Sequence, residues 1–202
     1  MNFLSPRSET LFIFGASGWV PVFGYGRWWT VLTAGWLHGS VLHIFFNMMS
    51  LRQLAPATAE FYGASRMIII YTFATVTGFM ASSVAGLLRL PMTGAGLTVG
   101  ASAAIFGLLG SLIYYGRRTG SSAIGDQAKG WALSIFILGF LMPAIDNWAH
   151  LGGLAGGYAM SKFLDPLHPE RLDHLIVALI CLALTGIAVI LSILHGLTLF
   201  RQ

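Results

Sequence analysis

The sequence predicts an all-α protein, a polytopic bundle of about six transmembrane helices, on three observations. Its 202 residues include only 11 Lys+Arg and 7 Asp+Glu, so 9% are charged, against about 25% in soluble domains. Hydrophobic residues make up 56% and the mean hydropathy is +0.76, which leaves too little polar surface to cover a water-soluble globule. The long runs between charges are apolar on every side instead of alternating, which selects helices over the strands of a membrane barrel.

A spanning helix needs about 20 mostly apolar residues, and the charge gaps supply the elements in order. Residues 1–27 are expected outside the bilayer or at its surface: Thr10–Ala16 is too short to cross, and Gly15, Gly18, Pro21, Gly24 and Gly26 break the chain beyond it. No secretory-signal pattern is present, and Trp19, Trp28 and Trp29 suit the interface. Trp28–Leu51, Met67–Leu88 and Leu90–Gly116 carry no formal charge, the third helix starting near Gly100 because Pro91 and the Gly94–Gly100 stretch precede it. Gly130–Ile145 and Asn147–Ser161 read as two short helices joined tightly near Pro143–Asn147, around Asp146. Leu175–Phe200 is the last span. The chain therefore divides into an N-terminal segment 1–27, a transmembrane core 28–164, and a linker with an extra C-terminal helix 165–202.

Six spans place Arg52, Arg66, Arg117, Arg118, Lys129, Lys162 and Arg171 on one side and Arg7, Arg27, Arg89 and Arg201 on the other. The positive-inside rule makes the first side cytoplasmic. Both termini then face outward, and an N-terminus translocated without a signal is unusual, which points to a preceding helix. The net charge of +4 does not imply nucleic acid, since the basic residues are scattered and Arg117-Arg118 is the one adjacent pair. The apolar excess excludes disorder, and one cysteine, Cys181, excludes a disulfide scaffold. No cofactor or metal is expected; the oligomeric state is not written in the sequence.

Ionisable residues inside a membrane are costly and mark function. His43 and Asn47 lie four apart on one helix face, where hydrogen-bonding glue between helices is the competing role. His38 lies off that face, nearer the outer end. Gly100-Ala101-Ser102-Ala103 opens an apolar helix, so a serine hydroxyl and unsatisfied helix-start N–H groups coincide there; a packing or capping serine is the plainer alternative. Asn147-Trp148-Ala149-His150 is followed by glycines at 152/156 and 153/157, a smooth strip along which another backbone approaches closely. Activating a serine requires an imidazole nitrogen within about 2.6–3.2 Å, which the small residues beside Ser102 and His150 permit. His43, Ser102 and His150 all fall in the outward halves of helices that begin on the outer side. Together they fit a serine hydrolase open to water from one face.

These residues resemble the rhomboid family of intramembrane serine proteases. The likeness runs through Arg27-Trp28-Trp29, Leu37-His38-Gly39-Ser40, His43-x-x-x-Asn47, Glu60-x-x-Gly63, Gly100-Ala101-Ser102-Ala103-x-x-x-Gly107 and Ala149-His150-x-x-Gly153, over roughly residues 19–164. The resemblance implies a Ser102–His150 dyad and an oxyanion site shared by the Ser102 backbone, His43 and Asn47. It further implies cleavage of transmembrane protein substrates near the outer face, in a bilayer expected to be a bacterial cytoplasmic membrane. A lid-like segment around Leu141–Asp146 is implied as well. Three features depart from the pattern: Ala103 stands where glycine is commonest, the family's first helix is absent from this chain, and Gly15-Ala16-Ser17-Gly18 is a second match with no apolar helix behind it. Ser17 is read as a decoy. Asp146 is expected in an exposed inter-helix turn, too poorly aimed to orient His150 as a triad acid. An inactive relative that binds membrane clients without cutting them is the alternative; a transporter would favour inverted repeats and charged midplane residues, neither of which occurs.

Overall fold

The computed structural model describes residues 4–91, 95–142 and 145–199. Among them are eight α-helices: α1 Ser8–Phe14, α2 Thr30–Thr33, α3 Val41–Tyr62, α4 Ala64–Leu87, α5 Ser102–Thr119, α6 Ser122–Leu141, α7 Asn147–Phe163 and α8 Leu172–Leu199. α4 and α8 are long and apolar enough by composition to cross a membrane. α7, at 17 residues, is shorter, and α3 and α6 carry Arg52, Glu60, Asp126 and Lys129.

α4, α5 and α7 form the centre, and glycine is what lets them meet. A Cβ on Gly153 or Gly157 of α7 would overlap the carbonyls of Ala103 and Gly107 on α5, whereas one on Gly152 or Gly156 would strike α4 at Thr77. The two glycine pairs therefore serve two partners, one on each side of α7. Around this contact the core is filled by Ile69, Ile70, Phe106, Leu108, Leu109 and Leu112, all buried.

α3 begins at Val41, not near Trp28. Ser40 is its N-cap, its hydroxyl accepting the His43 N–H at 3.1 Å. Between Trp28 and Ser40 lie α2 and a 3₁₀ turn, Ala34–Trp36. The charge-free run thus marks an apolar stretch and not a helix, since Arg52 and Glu60 sit inside α3. α6 likewise starts before Gly130, taking Asp126 and Lys129 into its first turns. α3 gives way to α4 at Gly63, whose φ of +89 suits glycine; there the Glu170 carboxylate accepts the Arg66 N–H at 2.9 Å. Buried Arg66 also donates to the carbonyls of Tyr62 and Asp165, strapping the α7–α8 linker to this corner.

The N-terminal segment is more ordered than a surface loop. Ala16, Ser17, Pro21, Val22 and Arg27 are buried, while Trp19 and Trp28 remain exposed. Arg27 donates to the carbonyls of Phe12 (2.6 Å), Ile13 (3.2 Å) and Ser192 (2.9 Å), and the Trp29 indole donates to Ser192 Oγ at 3.1 Å. These bonds pin the end of α8 to the opposite end of the molecule from Arg66.

Candidate active site

Ser102 is reached through a glycine that tolerates no side chain. Gly100 has φ +128, and a Cβ there would stand 2.6 Å from His43 Nε2. Its N–H donates to Ala34 O at 2.9 Å. Just upstream, Ser17 and Thr98 exchange backbone hydrogen bonds at 3.0 and 2.7 Å, and the N–H groups of Trp19 and Val20 donate to Ala95 and Gly96 at 3.2 and 3.3 Å. Gly18 is required in this pairing, with φ +122 and the Ala95 and Gly96 carbonyls within 2.7 Å of a Cβ. Ser102 is half-buried between buried Ala101 and Ala103. The hydroxyl is the polar side chain of that first turn, beside N–H groups that have no acceptor within α5.

His43 is the third residue of α3. Its Nδ1 accepts the Gly39 N–H at 3.4 Å, which leaves Nε2 as the protonated nitrogen, and Nε2 is the atom that presses on Gly100. Asn47 is buried one turn on, its Nδ2 donating to His43 O at 2.9 Å and lying 3.8 Å from a Cβ built on Gly100. The His43-x-x-x-Asn47 face therefore turns toward the start of α5. His38 stacks edge-on against His43 with ring centres 5.1 Å apart, outside this contact.

His150, the fourth residue of α7, is 2% exposed. Its ring lies flat on Phe106, centroids 4.1 Å apart and planes 9° off parallel. Phe106 is one turn beyond Ser102 on the same face of α5, so the stack holds the imidazole against the α5 face that Ser102 opens. Among the described residues no hydrogen bond joins Ser102 Oγ to His150, and His150 Nδ1 is buried without a partner. Catalytic hydrogen bonds in ligand-free sites are often long and tighten only around a substrate.

Asp146 is not the exposed turn residue that the sequence suggests. It is half-buried and caps α7, with Oδ1 accepting the Ala149 N–H at 3.0 Å and Oδ2 the Ser82 hydroxyl. Neither oxygen bonds the His150 ring. Of the expected lid-like segment Leu141–Asp146, residues 143 and 144, including Pro143, lie outside the described residues; Leu141 and Met142 are exposed. Ser17 is fully buried in the pairing with Thr98, away from open space. Spacing in the sequence does not single out Phe106, whose one signal is its place four residues after Ser102, or Ser82, which has none.

The domain description "Rhomboid domain" matches residues 25–166. Rhomboid protease GluP of Bacillus subtilis (strain 168) is 36% identical over 157 residues, 76% of this chain and 29% of that protein. RHOMBOID-like protein 7 of Arabidopsis thaliana is 30% identical over 172 residues, 83% of this chain and 52% of that one. RHOMBOID-like protein 1 of the same plant is 32% identical over 172 residues, 83% and 42% respectively. The chain thus spans between 29% and 52% of the length of these relatives.

Proposed function

The chain belongs to the rhomboid family, and on that premise we propose that it is an intramembrane serine endopeptidase acting on transmembrane protein substrates. The observation that carries this reading is the meeting of three helix starts: Ser102 at the head of α5, His150 stacked on Phe106 one turn below it, and His43 Nε2 against Gly100. In the reaction, His150 takes the Ser102 hydroxyl proton as Oγ bonds the scissile carbonyl carbon. The carbonyl oxygen becomes an oxyanion facing the Ser102 N–H, His43 Nε2–H and the Asn47 amide, donors fixed before any substrate arrives. Collapse of this intermediate breaks the peptide bond while His150 returns the proton to the leaving amine. Water then gives its proton to His150 as it bonds the acyl carbon, and His150 passes that proton to Ser102 Oγ as the acyl–oxygen bond breaks and the new carboxyl terminus leaves.

α3 to α8 are read as six spans. The helix ends that carry Arg66, Arg117, Arg118, Lys162 and Asp165 face the cytoplasm and the Ser102 end faces outward, in a bacterial cytoplasmic membrane. The glycine-lined contacts that shield α5 and α7 account for their modest apolarity, because their faces meet protein instead of lipid. The test is reconstitution into proteoliposomes with a fluorogenic single-span substrate. Wild type cleaves it, and Ser102→Ala and His150→Ala do not, at equal protein in the membrane. Turnover surviving in Ser102→Ala would remove the assignment; a folded wild type that binds the substrate and never cuts it would favour the client-binding alternative.

A further inference from the structure

The segment that leads into Ser102 and the turn that carries His150 are joined by a route that bypasses both side chains. Ser82, fully buried near the end of α4, donates its hydroxyl proton to Asp146 Oδ2 and accepts the Ala95 N–H at 3.2 Å. Asp146 Oδ1 accepts the Ala149 N–H at 3.0 Å, and its carbonyl accepts the His150 N–H at 3.1 Å. On the far side of the same peptide segment, the Ala95 carbonyl accepts from Trp19. A second tie runs parallel, from Trp148 Nε1 to Pro91 O at 3.0 Å. The first turn of α7 is therefore held at two points to the stretch that ends in Gly100 and Ser102.

A buried hydroxyl that donates to one neighbour and accepts from another ties the two together, because breaking either bond without a replacement leaves a polar group of Ser82 unpaired out of water. The glycine contacts let α5 and α7 approach closely, but among the described residues they hold no side-chain bond near Ser102, the Arg117–Tyr158 bond lying at the other end of the pair. The hydrogen-bonded link supplies what they lack.

We propose that Ser82 and Asp146 are positioning residues, a relay from Ala95 through Ser82 and Asp146 to Ala149 that sets Ser102 in register with His150. This rests on the protease reading above, and in it Asp146 acts on the α7 backbone and not on the imidazole. Misplacement of reacting groups by about 1 Å from a change away from the chemistry costs about 10²-fold in rate, so a register role appears in kcat more than in KM.

The experiment uses the full chain in proteoliposomes. Ser82→Ala and Asp146→Ala each lower kcat about 10- to 100-fold with KM held within about twofold. The double variant falls no more than about threefold below Asp146→Ala, because both break one link. Asp146→Asn keeps kcat within about threefold of wild type, since asparagine caps a helix as well as aspartate and its amide donates to Ser82 Oγ, whose own proton turns to the carbonyl one helical turn back. Multiplying losses in the double variant, or a wild-type kcat in Ser82→Ala, would overturn the relay; so would a drop of about 10⁴-fold in Asp146→Asn, the behaviour of a triad acid. A readout independent of cleavage keeps the two proposals apart. In a Ser102→Ala background, Ser82→Ala should speed amide exchange at Ala95 and Ala149 together. Unchanged exchange there overturns the relay even if the wild type cuts, whereas coupled exchange there, with a folded wild type that cuts nothing, supports the relay and removes the protease reading.

Discussion

At the scale of single residues, His43 has its two ring nitrogens committed to opposite tasks. Nδ1 takes a backbone N–H from Gly39 and Nε2 faces Gly100, so the ring presents a proton to the site without being charged. Under the proposed reaction, losing one such donor costs up to about 10²–10³ in kcat, and less here because the Ser102 N–H remains. His43→Ala and Asn47→Ala are accordingly expected to lower kcat with little change in KM; both variants at wild-type kcat would place the cradle elsewhere. Gly100→Ala is a sharper probe. A residue with φ +128 and a Cβ 2.6 Å from His43 Nε2 must displace the imidazole or the backbone, so activity should fall at least as far as in His43→Ala. Spacing makes His43, Asn47, Ser102 and His150 legible as candidates in the sequence, because each is a polar group in an apolar run that needs a reason. Ser82 is not legible, since a serine in such a run looks like packing until the carboxylate it meets, 64 residues away, is brought beside it.

At the scale of elements, charge gaps find the apolar stretches but misplace helix ends. Caps decide those ends: Ser40 starts α3 well inside the charge-free run, whereas at α7 the cap is itself the charge, Asp146, so the expected start at Asn147 holds. The expected start near Gly100 comes close for α5, because a glycine with positive φ stops one conformation and begins another. What the sequence does not convey is that Gly15-Ala16-Ser17-Gly18, a decoy by its pattern, pairs with the lead-in to the serine it imitates. The α7 glycines give a direct test of element packing. Gly157→Ala puts a methyl group onto the Gly107 carbonyl, and overpacking of this kind costs about 1–3 kcal/mol. Gly186 in α8 has nothing within 4 Å of a Cβ, so Gly186→Ala should be neutral or slightly stabilising. Thermal unfolding in detergent compares them, and equal midpoints would mean that α5 and α7 are not packed through this strip.

At the scale of the whole molecule, the two ends differ in kind. One gathers Arg66, Asp165, Arg118 and Glu170 into bonds around the α3–α4 corner, and the other gathers Ser102, His43 and His150 beneath the N-terminal segment that Arg27 fastens to α8. The proposed orientation rests on this asymmetry. Single cysteines placed at Ser5 and at Thr119, in a Cys181→Ser background, should react with a membrane-impermeant maleimide in whole cells at Ser5 and only after lysis at Thr119; the reverse pattern would invert the protein. The central claim is that one serine, made nucleophilic by one histidine, does the chemistry. Treating the reconstituted protein with a fluorophosphonate and locating the adduct by mass spectrometry tests it most directly. The account predicts a covalent adduct on Ser102, none on buried Ser17, and none on Ser102 when His150 is replaced by alanine. An adduct that forms equally well without His150, or an unmodified Ser102 in a folded protein, would contradict it.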